Sequence, residues 1–237
     1  MLFAAHFDPY RERYAACWLE NHGFPEAVEF YNLAHAYPEL LPPETNVYAA
    51  FLGFLDHDIG KLSERFDPDA WFYPDSPLDP CDRRHHVPDG IEILRAFEIA
   101  SGVSVPDEVY QIINGHHERT DGTGYGHMTG PYLSQIEKIA CVLDSLVTMC
   151  TWRPYNGHHP IHSFASAWEE LNKGRDRQYS GEILDALWNM HKDDLSIVEP
   201  GLGWIDMNTV PLFAKMKQEL TGDNRTLFVF NNIHNSV

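Results

Sequence analysis

Cations are scarce in this chain: 17 Lys and Arg stand against 35 Asp and Glu, a formal net charge of −18 at pH 7. That balance opposes general affinity for a nucleic-acid polymer or an anionic membrane surface, so any phosphate substrate has to be held by local cations. Long apolar runs are missing too. The longest, Val47 to Leu55, is far short of the roughly 20 residues a membrane helix needs, and Asp56, His57 and Asp58 follow it at once. Met1 to His6 offers neither the basic segment nor the apolar core of a secretory signal, and a cytoplasmic location is expected. The four cysteines, Cys17, Cys81, Cys141 and Cys150, form no Cys-x-x-Cys pair. A zinc ribbon and a disulfide scaffold are thereby disfavoured, and reduced, buried thiols are expected.

What remains is an ordinary globular composition, 43% apolar and 22% charged, over 237 residues that can bury one sizeable core. One domain over residues 1–200, with an extension over 201–237, is the expected organisation. No internal repeat or low-complexity tract is visible.

Helical periodicity dominates, and the expected class is all-α. Pro25 and Glu26 start a first helix, because proline suits the first turn and an acid complements the helix dipole there; Pro38 and the Pro42, Pro43 pair end it. A second helix is predicted over 45–59, stopped by Gly60. Residues 63–84 carry four prolines, Pro68, Pro74, Pro77 and Pro80, and read as a loop. Further helices are predicted over 88–101, 106–117, 132–152, 161–173 and 179–191. The tail contains Leu227 to Phe230, a candidate lone strand.

The 14 histidines are a high number for this length, and several cluster between His57 and His127. Three constellations carry chemistry. The first is His57-Asp58-Ile59-Gly60-Lys61, read as the end of an apolar helix: neighbouring His and Asp side chains can address two ions, Gly60 lets the chain turn, and Lys61 can lean toward a phosphate oxygen. The second is His116-His117-Glu118 followed by Asp121-Gly122-Thr123-Gly124-Tyr125. Paired imidazoles at a helix end need hydrogen-bond partners or a metal when buried. The third is Asp144, a carboxylate inside the apolar run Ile139 to Val147, where burial requires a cation or several donors. A hydrogen bond to a neighbouring hydroxyl or backbone group would also meet that need.

In these constellations, and in His86 with Gly90 and Leu94, the chain resembles the HD superfamily of metal phosphohydrolases and its HD-GYP branch over about residues 22–190. The resemblance implies a helical bundle with a metal site in its core, making 1–200 a catalytic unit without a preceding sensor region. It implies metal ligation by His57, Asp58, His86, His116, His117 and Asp144, with His22 as an earlier ligand and His35 and Glu29 as rivals for that place. Catalytic roles fall to Lys61 and Asp58, and substrate contacts to Lys61, Asp121, Gly124, Tyr125 and Arg153, the last within Arg153-Pro154-Tyr155. His127, His158, His159 and His162 lie outside the motifs and read as surface residues. Two departures stand out: Gly126 replaces the proline of Gly-Tyr-Pro, and Ser63 to Asp67 replaces the usual Ile-Pro-Asp segment.

The implied cofactors are two or three transition-metal ions, iron or manganese first, with zinc, nickel or cobalt able to occupy such a histidine and carboxylate shell. The implied activity is hydrolysis of a cyclic dinucleotide, cyclic di-GMP or a relative, by a hydroxide held between two metals. The implied partner is a small-molecule nucleotide; neither a nucleic-acid polymer nor a membrane is expected. An HD phosphohydrolase acting on a nucleotide or other phosphate ester is the enzymatic alternative. A dinucleotide-binding module without catalysis is the other.

Overall fold

A computed structural model describes residues 19–63, 84–151 and 160–205. Within them lie seven α-helices: α1 (Phe24–Ala36), α2 (Val47–Leu55), α3 (His86–Ser101), α4 (Asp107–Gly115), α5 (Gln135–Cys150), α6 (Phe164–Asn172) and α7 (Gly181–His191). Among the described residues there is no strand, only three isolated bridges, and the all-α expectation holds. Arg153, Cys17, Cys81, His158, His159, the interior of the proline-rich loop and the Leu227 to Phe230 segment lie outside the described residues.

Local sequence sets the helix starts. Asn46 caps α2 by accepting from Tyr48 N and Ala49 N, both at 3.1 Å. Ser134 and Glu137 form a reciprocal capping box at the start of α5, and Ser163 Oγ accepts from Ser166 N at 3.2 Å at the start of α6. Each such cap is worth about 1 kcal/mol. Gly102, at φ +69°, closes α3 in the left-handed conformation that glycine adopts without a Cβ penalty.

The core runs along α1, α2, α5, α6 and α7, through Phe30, Phe51, Phe54, Leu143, Leu146, Phe164 and Leu184, all buried. Helix α5 is the central element. Ile139, Ala140, Leu143, Leu146 and Val147 point into the core from several sides, the pattern of a helix packed all round. It touches α1, α4, α6 and α7, so Asp144 on α5 is carried to the middle of the molecule.

Two predicted elements differ. The second helix ends at Leu55 rather than Ile59; His57 and Asp58 sit in the following turn, and Ile59–Leu62 forms a 3-10 segment. Apolar periodicity continues to Ile59 although the backbone leaves the helix, which is why the sequence hides the break. Gly60 therefore does not stop a helix. A Cβ there would stand 1.7 Å from His86 O, so glycine is what lets the 59–62 segment press onto the first turn of α3 and bring His86 up to Asp58. The start of the chain's first helix also differs, since a π-helical turn, Leu19–Gly23, precedes α1 and carries His22.

Candidate metal centre

Two groups of four buried or nearly buried donors meet between α1, the 56–58 turn, the first turn of α3, the end of α4 and α5. The first is His22, Glu26, His57 and Asp144; the second is Asp58, His86, His116 and His117. Two carboxylates tie the groups together. Asp58 Oδ2 lies 3.3 Å from His57 Nε2 and 3.8 Å from His22 Nε2, while its Oδ1 lies 3.2 Å from His86 Nε2 and 3.6 Å from His116 Nε2. Asp144 reaches across in the same way, with Oδ1 3.2 Å from His22 Nε2 and Oδ2 3.3 Å from His117 Nδ1.

Backbone carbonyls orient the rings. His57 Nδ1 donates to Phe54 O at 2.7 Å and His116 Nδ1 donates to Ile113 O at 2.8 Å. In the neutral ring that a metal would bind, each Nε2 then has its lone pair toward the centre, the arrangement that second-shell partners impose on metal-bound histidines.

The electrostatics differ between the groups. Burial opposes charge on His57, but Glu26, Asp58 and Asp144 outweigh it and push its pKa up to about 10. In the second group burial dominates: it holds His86 well below the usual imidazole range and, with His117, brings His116 down to about 4. Asp58 and Asp144 stay ionised despite burial, because Lys61 and His57 hold the first and His117 and His22 the second. Buried carboxylates that keep a proton on an adjacent imidazole mark a place that attracts cations, while the second group offers neutral nitrogen donors. The donor atoms of each group lie within 4.8 Å of one another, close to the spread of ligands about 2.0–2.2 Å from a shared ion. Both groups fit transition metals.

The model of the HD domain family matches residues 21–149, more than half of the chain and a span that contains both groups. The chain belongs to the HD domain family. No curated protein matches it significantly. It is an HD-domain protein with the buried donor set of a metal-dependent phosphohydrolase, two histidine and carboxylate groups suited to a bimetallic site.

Of the residues singled out in the sequence, His22, His57, Asp58, His86, His116, His117 and Asp144 converge in the HD core. Both rivals of His22 lie elsewhere: Glu29 accepts from His191 Nε2 at 2.7 Å, and His35 is exposed with Nδ1 2.8 Å from Tyr31 O. Glu26 is the residue the sequence reading missed. A glutamate in a first helical turn reads as a dipole partner, and only the fold shows its Oε2 3.5 Å from His57 Nδ1 and 3.8 Å from His22 Nε2.

Lys61 turns back onto the donor groups. It is buried, and its Nζ donates to Asp58 Oδ2 at 2.5 Å, because the 3-10 turn brings residue 61 back over residue 58. It still borders an open cleft of about 590 Å³, together with His117, Arg119, Tyr125, Asp144 and Tyr179. Gly124 lines the same cleft, and a Cβ there would meet Glu118 Cα at 2.4 Å, so the loop can fold back over the paired histidines only with glycine. Tyr125 rests on His117 with ring centroids 4.5 Å apart. Asp121 spends its carboxylate on Thr123 N and Oγ1, at 3.1 and 2.6 Å, and builds the turn instead of lining the cleft. His127 is exposed, and His162 is partly exposed beside Ser166 Oγ at 3.0 Å. Cys141 and Cys150 are buried free thiols. No described helix is long and apolar enough to cross a membrane.

Proposed function

We propose that the protein is a metal-dependent phosphodiesterase of the HD-GYP type, cleaving a cyclic dinucleotide such as cyclic di-GMP. The observation that carries this reading is the pair of bridging carboxylates: Asp58 and Asp144 each present one oxygen to each donor group, and Asp144 and His117 also border the cleft. Two divalent ions held there, iron or manganese in the first instance, would supply Lewis acidity toward phosphoryl oxygens and a water of lowered pKa.

The chain's own groups have separable tasks. The Lys61 ammonium offsets the Asp58 charge inside the centre and stands at the cleft wall, where it can meet negative charge growing on a phosphoryl group. Burial raises the Tyr125 phenol, and Asp144 and Asp58 raise it further, so its hydroxyl keeps its proton at neutral pH and can donate into the cleft. Glu118 fixes the loop by accepting from Gly126 N and, at 2.9 Å, from Met128 N. A proline at 126 has no N–H to give, so this chain's departure from Gly-Tyr-Pro exchanges ring rigidity for a hydrogen bond to Glu118.

The deciding experiment is anaerobic loading with Fe(II) or Mn(II), elemental analysis, and a screen of cyclic dinucleotides against mononucleotides and simple phosphate esters. Hydrolysis of a cyclic dinucleotide in preference to the others supports the reading. Hydrolysis confined to monoesters moves the protein to the general HD phosphohydrolases, and tight dinucleotide binding without turnover makes it a binding module.

A further inference from the structure

Part of the cleft lining comes from outside the stretch matched by the HD domain model. It is the connection between α6 and α7, and Gln178 and Tyr179 of that connection border the same cleft as His117 and Asp144. Resting on the nucleotide reading above, we propose that Tyr179 is a base-stacking platform that holds a nucleobase of the substrate while the phosphate lies at the metal centre.

Three observations carry it. Arg119 places its guanidinium carbon 5.0 Å from the Tyr179 ring centroid. Arg119 is itself fixed, donating to Glu118 O at 2.7 Å and to Ser145 Oγ at 3.0 Å, so one face of the ring has a rigid, electron-withdrawing neighbour and a base would stack on the other. Next, the connection is built rather than loose. Arg175 forms a two-pronged pair with Asp185 at 2.7 and 2.6 Å, and Asp176, at φ +57°, accepts from Gly181 N at 3.1 Å. Last, Thr120, three residues beyond His117, donates from N to Gln178 O at 3.1 Å and from Oγ1 to Arg177 O at 2.6 Å. The distance from the platform to the ligand loop is thereby set, which is what a site selecting a base at a fixed reach from a phosphate requires.

Charge makes such a platform necessary. Among the described residues the cleft lining holds two cations, Lys61 and Arg119, both engaged with protein partners, and also two anions, Asp144 and Glu170. In a chain of net charge −18 an anionic dinucleotide gains little from the field beyond the metal centre, and stacking supplies affinity that does not depend on charge.

The test uses the metal-loaded full chain and two probes, guanosine 5′-monophosphate and inorganic phosphate, whose affinities are measured by calorimetry. Tyr179→Ala is expected to weaken the nucleotide on the order of tenfold and to leave inorganic phosphate unchanged, while Tyr179→Phe keeps both. In turnover of cyclic di-GMP Tyr179→Ala raises KM and leaves kcat near the wild-type value. Equal loss of both probes, or no loss of the nucleotide, overturns the proposal. Should the wild type cleave no diester, the phosphodiesterase reading fails by itself, and the ratio of the two binding constants still decides the role of Tyr179.

Discussion

Lys61 and Asp58 form a buried contact of 2.5 Å at the junction of the two donor groups, so the cation read from the sequence as a phosphate contact also belongs to the electrostatics of the centre itself. Asp58 has four imidazoles within 3.8 Å and one ammonium. Loss of the ammonium leaves the carboxylate and both histidine pairs in place. Lys61→Ala is therefore expected to retain metal while lowering kcat by about 10²-fold, the scale of one preorganised electrostatic partner. Turnover, metal content and melting temperature measured on one sample decide it, and wild-type kcat would restrict Lys61 to a structural role.

The bridging geometry predicts unequal metal losses. Glu26 serves the first group alone and His117 the second, whereas Asp58 and Asp144 reach both. Glu26→Gln and His117→Ala should each lower occupancy of one group, and Asp144→Asn should lower both. Elemental analysis of the three folded variants checks this. Identical loss in all three would mean that the groups do not load as separate sites.

The candidate site was legible in the sequence where its residues are neighbours. His57-Asp58 and His116-His117 announce themselves because adjacent polar pairs follow the apolar residues Phe54-Leu55 and Ile112-Ile113, and Asp144 because a lone acid sits in the apolar stretch Ile139 to Val147. Glu26 was hidden behind an ordinary helix-dipole role, and the choice of His22 over Glu29 depended on a π-helical turn that no periodicity reveals. Arg119 and Tyr179, 60 positions apart, meet only through tertiary packing. The all-α class and the helix order were readable from periodicity, whereas the break after Leu55 was not, since Ile59 continues the apolar pattern while being packed against α3.

Glu118 holds the substrate loop through Gly126 N and Met128 N. Gly126→Pro removes one of these donors without touching any of the eight grouped side chains. Metal content is expected to stay at the wild-type level while KM for the diester rises several-fold. A variant that folds but loses its metal would place the loop inside the coordination shell.

Glu29 and His191 form a second buried polar contact, 162 positions apart in sequence, and it fastens α1 to α7. Both side chains lie against apolar surface, His191 between Phe164 and Trp204 with ring centroids 4.9 and 5.0 Å away. Burial raises the Glu29 carboxyl above its ordinary value of 4.5, and His191 lowers it only in part. A carboxyl raised on folding contributes stability that is complete below its unfolded pKa and is lost as pH climbs through the folded one. Glu29→Gln cannot ionise, yet it keeps an acceptor for the His191 ring. Its stability relative to wild type should therefore rise from about pH 4 to about pH 7, measured by urea unfolding at both values. The opposite slope would mean that the Glu29 carboxylate stays ionised on folding. Glu29→Ala serves as the control for the contact itself, since it strands the imidazole among aromatic rings and should cost roughly 1–3 kcal/mol at neutral pH. Neither substitution should alter metal content, because Glu29 belongs to neither donor group. Metal loss in a folded Glu29→Gln sample would return this residue to the ligand shell.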